Sequence, residues 1–190
     1  MNAITFGRYN FFTVAHLSTV KEILKKWEKL YILIVDDSLG KTNNCINGCE
    51  EFYNLCDKNH KEKKIYFSIE ERMEMINLAL LEAGIKNRVI VLHYCRPECN
   101  IKKFNDDFEK NSYDLVFPCS VDEPNYFDKI RNDSFEKILG RRVFCVFPKI
   151  TIHVSQILFE SPCAEKIKDT LPDGTKNYFE KIGGYKRVLS

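Results

Sequence analysis

The sequence carries little net charge: 29 Lys+Arg stand against 27 Asp+Glu in 190 residues, a formal +2 at pH 7. That balance excludes the broad basic field on which non-specific nucleic-acid binding rests, so no nucleic-acid partner is expected. Long apolar runs are also missing. Leu30 to Val35 and Val89 to Leu92 are short and bounded by charge or polarity, well under the roughly 18 residues that cross a bilayer. The stretch Met1 to Arg8 lacks the basic flank, apolar core and small-residue cleavage site of a secretory signal. A cytoplasmic protein with no membrane partner is the expectation. Internal repeats are absent too, and the one compositionally biased segment is a lysine-rich stretch after the second apolar run.

Cysteine is not scarce, at eight residues. With no secretory signal, and with a hydrophobic content of 44% that is ample for a core without staples, reduced thiols are expected. Cys119 and Cys145, each beside a strand-like run, read as small apolar filler. The length suits one domain over residues 1–190.

Apolar strand-like runs recur at Ala3–Phe6, Leu30–Val35, Val89–Leu92, Leu115–Phe117 and Val143–Phe147, and most intervening segments carry helical spacing. This alternation predicts an α/β fold, a Rossmann-like parallel sheet with helices on both faces. Leu17, Val20, Ile23, Leu24 and Trp27 mark one helix face after the first run. A second helix opens with Ser68-Ile69-Glu70-Glu71, a capping-box pattern, and Gly84 would end it. A terminal helix over 173–182 has Gly183-Gly184 as its stop signal. Residues 39–66 form a polar, cysteine-bearing loop insertion. Within it, Cys45, Cys49, Cys56 and His60 are four soft ligands at close spacing, yet the spacing matches no common zinc pattern, so zinc is not expected. The Cys95 and Cys99 pair is a weaker candidate still.

Chemistry concentrates in Gly7-Arg8-Tyr9-Asn10-Phe11-Phe12-Thr13-Val14-Ala15-His16, which joins the first strand to the first helix. Ligands of open α/β sheets bind at the carboxyl ends of strands. Thr13 can cap the helix, whose first turn offers unpaired N–H groups and the positive dipole end to phosphate oxygens, and His16 sits in that turn. The same residues also suit a plain N-cap and a surface histidine.

This stretch resembles the signature of the HIGH-motif nucleotidyltransferase superfamily, in the G-R-F-x-P-x-H-x-G-H form of archaeal-type nicotinamide-mononucleotide adenylyltransferases. Arg8, Tyr9 and His16 fit, whereas Phe11 stands in place of Pro, Thr13 in place of the first His and Ala15 in place of Gly. Phe67 to Ile76 is similar to the family's F-T-x-G-E-R-x-E-M-I segment, and Leu171 to Ile182 to its L-V-P-x-x-V-x-E-Y-I tail. The late I-S-x-T-x-I-R motif aligns with Ile152 to Leu158, where Ser155 keeps a hydroxyl and Leu158 replaces the arginine. Lys149, Arg141, Arg142 and His153 are the candidates to compensate.

The resemblance implies attack of a substrate phosphate on the α-phosphorus of a nucleoside triphosphate, with pyrophosphate released and Mg²⁺ carried among the phosphates. His16 and Thr13 would be catalytic. Phe6, Gly7, Arg8, Tyr9, Lys149 and Ser155 would bind nucleotide or phosphate, with Asn10, Arg72 and Glu71 supporting the substrate or the scaffold. The implied partners are a nucleoside triphosphate and a phosphorylated small molecule, with self-association into a homo-oligomer left open. Three functions fit: an adenylyltransferase on nicotinamide mononucleotide or a similar metabolite, a CTP-dependent cytidylyltransferase on a phosphorylated alcohol or phosphonate, and a non-catalytic nucleotide-binding regulator.

Overall fold

Period-two alternation decides which way each strand faces. In a computed structural model of the chain, which describes residues 1–35, 51, 65–119, 123–150, 152 and 163–190, the five apolar runs become β1 (Asn2–Gly7), β2 (Leu30–Val35), β3 (Val89–Tyr94), β4 (Tyr113–Pro118) and β5 (Val143–Val146). They form one sheet in the order β3-β2-β1-β4-β5, every pair parallel. Ala3, Ile32 and Ile34 enter one core while Ile4, Leu33 and Val35 enter another, so consecutive residues bury on opposite faces. That pattern requires helices on both sides.

Seven helices supply the cover: α1 (Val14–Ile23), α2 (Ile69–Glu82), α3 (Ile101–Asp107), α4 (Tyr126–Leu139), α5 (Ala164–Thr170), α6 (Asp173–Lys181) and α7 (Gly184–Leu189) among the described residues. The first core takes Val20 and Ile23 of α1, Met75, Ile76, Ala79 and Leu80 of α2, and Ile167, Phe179 and Val188 of α5 to α7. Phe104 of α3 with Phe135 and Leu139 of α4 fill the second. The predicted fold class is therefore the observed one.

Local boundaries differ where long-range contacts intervene. α1 ends at Ile23, so Trp27 lies beyond the helix rather than on it. Arg88 donates to the carbonyls of Leu24, Trp27 and Glu28 at 2.8, 2.9 and 3.0 Å, satisfying acceptors at and after the helix end with a cation, the favoured charge there. Gly84, at φ 68°, follows the C-cap of α2. Gly183 stops α6 with φ 70°, yet the chain re-enters a helix at Gly184.

The cysteine reading needs correction. Cys119 and Cys145 form a disulfide, and Cys99 is disulfide-bonded as well. Parallel pairing of Phe117 with Cys145 and Pro118 with Val146 sets Cys119 just past the end of β4, with its Cα 5.6 Å from that of Cys145, within bridging distance. Cys95 and Cys163 are free thiols. Of the insertion at 39–66, only Glu51, Ile65 and Tyr66 fall among the described residues. Cys45, Cys49, Cys56 and His60 lie outside them, as do His153, Ser155 and Leu158.

Candidate functional site

In the 3-2-1-4-5 order, the chain leaves β1 towards β2 through α1 and returns on the other side of β1 as β4. The carboxyl ends of β1 and β4 thus flank the switch point where open α/β sheets place their ligands. The loop from Arg8 to Thr13 starts there and delivers the amino end of α1.

Thr13, fully buried, is the N-cap of α1 in an extended conformation (φ −112°, ψ 168°). Its Oγ1 accepts from the His16 N–H at 3.4 Å, and its own N–H donates to His16 Nδ1 at 3.1 Å. This is a capping box in which histidine takes the place usually held by Glu or Gln. Thr13 Oγ1 also lies 3.0 Å from Nδ1. Because Nδ1 accepts the backbone N–H, the neutral ring carries its proton on Nε2. Burial drives the His16 pKa down from 6.5 to about 4, so the ring is neutral near pH 7. Phe12 stacks on it at 5.5 Å and Tyr9 meets it edge-on at 5.3 Å. No acidic side chain occupies the first turn of α1, which leaves the positive end of the helix dipole uncompensated from within the helix. Together these features offer an anion a neutral N–H donor beside a helix N-terminus.

The loop is braced from outside. Arg72 of α2 is 2% exposed, and its Nη1 donates to the Arg8 carbonyl at 2.7 Å while its Nε donates to the Ser68 carbonyl at 3.3 Å. Asn10 Oδ1 accepts the Tyr66 N–H at 2.9 Å. Tyr9 adopts φ 44°, a conformation disfavoured for a bulky residue, and its ring lies over Gly7, where an added Cβ would be 3.3 Å from the ring. Burial raises the Tyr9 phenol to about 12. On the far side, the Lys149 N–H donates to Ser18 Oγ of α1 at 3.1 Å, bringing the segment after β5 against the helix.

The structure thus gathers Gly7, Arg8, Tyr9, Asn10, Thr13 and His16 on one loop and helix start, with Lys149 nearby. Glu71 sits elsewhere: it accepts the Ser68 N–H at 2.9 Å and pairs with Arg187 of α7 at 2.8 Å, so its visible work is in the scaffold. The Phe6 ring turns to the opposite face, against Phe117 at 4.9 Å and Phe135 at 4.8 Å, leaving only its backbone near the loop. Ser155 lies outside the described residues. Sequence reasoning missed the histidine's share in the cap, which a Thr-x-x-His spacing does signal.

No family model matches the chain, and a search of curated proteins found no relative. Solved structures do resemble it. A bifunctional NMN adenylyltransferase/ADP ribose pyrophosphatase from Francisella tularensis, complexed with AMP and a manganese ion, aligns at a TM-score of 0.61 and 18% identity over 99% of this chain and 51% of that one. A second structure of the Francisella tularensis enzyme gives a TM-score of 0.61 and 16% identity, over 99% and 52%. This chain spans about half the length of both. A nicotinic acid mononucleotide adenylyltransferase from Plasmodium falciparum aligns at 0.46 and 15% identity, over 100% and 98%, below the level that supports a shared fold. The chain therefore shares the fold of about half of the bifunctional enzyme.

Proposed function

We propose that the chain is a nucleotidyltransferase that moves the adenylyl part of ATP onto a small phosphorylated metabolite, nicotinamide mononucleotide or a close relative, and releases pyrophosphate. The observation that carries this reading is the Thr13–His16 capping box at the amino end of α1, set beside the switch point with Nε2–H as its donor. The adenylyltransferase named in the structural neighbours supports the nucleotide class.

In this reading the acceptor phosphate attacks the α-phosphorus in line, and the pyrophosphate leaves on the opposite side. The protein performs little covalent chemistry, so positioning and charge stabilisation set the rate. His16 donates from Nε2 to a non-bridging oxygen as negative charge builds. A neutral ring is already in the donor form, and Thr13 holds its tautomer fixed. The N–H groups of α1 and Arg8 hold the remaining phosphate oxygens, and Lys149 approaches from β5. These groups are hydrogen-bond donors and cations, which suit phosphate oxygens and not direct ligation of a metal. Mg²⁺ would arrive with the triphosphate, on the nucleotide's own oxygens, and lower the charge of the leaving group.

The deciding experiment measures pyrophosphate release with each of the four nucleoside triphosphates against a panel of phosphorylated metabolites. Release with ATP and nicotinamide mononucleotide is expected. Release confined to CTP would replace the adenylyl reading with the cytidylyl one, and no release with any combination would overturn the enzyme.

A further inference from the structure

The Cys119–Cys145 bridge joins the carboxyl ends of β4 and β5 across 26 residues of sequence. Side chains of α4 converge on both sulfurs. Asn132 Nδ2 lies 3.1 Å from Cys145 Sγ and 3.8 Å from Cys119 Sγ. Arg131 Nη2 lies 3.6 Å from Cys119 Sγ. The guanidinium is fixed there: Nη2 also donates to the Pro118 carbonyl at 3.0 Å, Nε donates to Asn132 Oδ1 at 3.1 Å, and the plane sits 4.9 Å from the Phe117 ring. Asp128 pairs with it at 3.3 Å and offsets part of its charge. A sulfur held in a disulfide is a weak acceptor with little need of a cation, whereas a thiolate gains from one. The two ends also differ in access, since Cys119 is 4% exposed and Cys145 is half-buried.

We propose that Cys119–Cys145 is a thiol–disulfide exchange site whose reductant is a dithiol, with Arg131 stabilising the Cys119 thiolate. A thiolate of the dithiol attacks the more accessible Cys145 Sγ. The S–S bond breaks, and its electron pair leaves with Cys119 beside the guanidinium. The second thiolate of the dithiol then displaces Cys145, which takes up a proton. The dithiol ends as a disulfide, and the protein gains two electrons. This chemistry is independent of any nucleotide reaction.

The test follows opening of the bridge in native protein by dithiothreitol at fixed pH, using quenched alkylation and peptide mass mapping to read Cys119 and Cys145. Wild type should open without denaturant. Arg131→Gln should slow opening by roughly 3- to 10-fold, because the leaving thiolate loses its cation, and Arg131→Lys should recover most of the rate. Asn132→Asp, which places a negative charge beside both sulfurs, should slow it as well, and it serves if the arginine variant fails to fold. Opening only in denaturant, or wild-type rates in both Arg131→Gln and Asn132→Asp, would overturn the proposal.

Discussion

Two substitutions of His16 test what the residue does for the helix and what it does for the reaction. In His16→Ala the Thr13 N–H loses its acceptor at 3.1 Å and the contacts with Phe12 and Tyr9 disappear. An orphaned donor costs about 1–3 kcal/mol and the lost ring contacts about 0.5–1.5, so a destabilisation of about 2–3 kcal/mol is expected. In His16→Gln the amide oxygen ends near the Nδ1 position and can accept the same N–H, the usual arrangement of a capping box. Only the ring contacts are lost, and about 1 kcal/mol is expected. His16→Ala removes the Nε2 donor, whereas the Gln amide keeps an N–H₂ group that can donate in its place. His16→Ala should therefore lose turnover by on the order of 10² to 10³, a barrier increase of about 2.7–4 kcal/mol, and His16→Gln less, while nucleotide affinity changes far less. Urea unfolding followed by circular dichroism reads the first effect, and pyrophosphate release reads the second. Wild-type turnover in folded His16→Ala would refute the donor role. A His16→Gln as unstable as His16→Ala would refute the cap.

Acid should weaken the fold through the same ring: burial holds His16 at about 4, below its ordinary 6.5, so protonation favours the unfolded chain and stability present above about pH 6.5 is lost as pH falls towards 4. Between pH 7 and 4.5, wild type should lose about 2 kcal/mol more than His16→Gln in urea unfolding, and equal losses would sink the assignment. Thr13→Ala should destabilise by about 1 kcal/mol through loss of the cap, with a smaller fall in kcat than His16→Ala shows. Arg72→Gln should cost about 1.5–3 kcal/mol, since a buried charge-assisted bond to the Arg8 carbonyl is lost, and should weaken nucleotide binding measured by calorimetry. Unchanged nucleotide affinity in that variant would mean that the loop holds its shape without the arginine.

The features legible in the sequence are those encoded within a few residues. The unbroken apolar run Leu30 to Val35 gives a strand buried on both faces, and Ser68 with Glu71 gives the α2 cap, because both patterns are completed inside one element. Thr13 as a cap was readable for the same reason. Arg72 reaches Arg8 over a separation of 64 residues, and no local rule reveals which carbonyl a buried guanidinium will find. The Cys119–Cys145 bridge depends on the register of β4 against β5, so composition and compartment led to the opposite expectation. Trp27 kept helical spacing although the helix stops at Ile23, because its place is set by partners on other elements.

Those partners give the residue a second use. Trp27 is the protein's single tryptophan. It is 7% exposed, its indole N–H donates to Asp114 Oδ2 of β4 at 2.8 Å, and Phe144 of β5 meets it edge-on at 5.6 Å. The chromophore thus lies just after α1 but takes its surroundings from the two strands that arrive last in the sheet. Its emission wavelength and quenching should change only when the later half of the chain docks onto the earlier half. Stopped-flow fluorescence of the unmodified protein would therefore time the joining of the two halves.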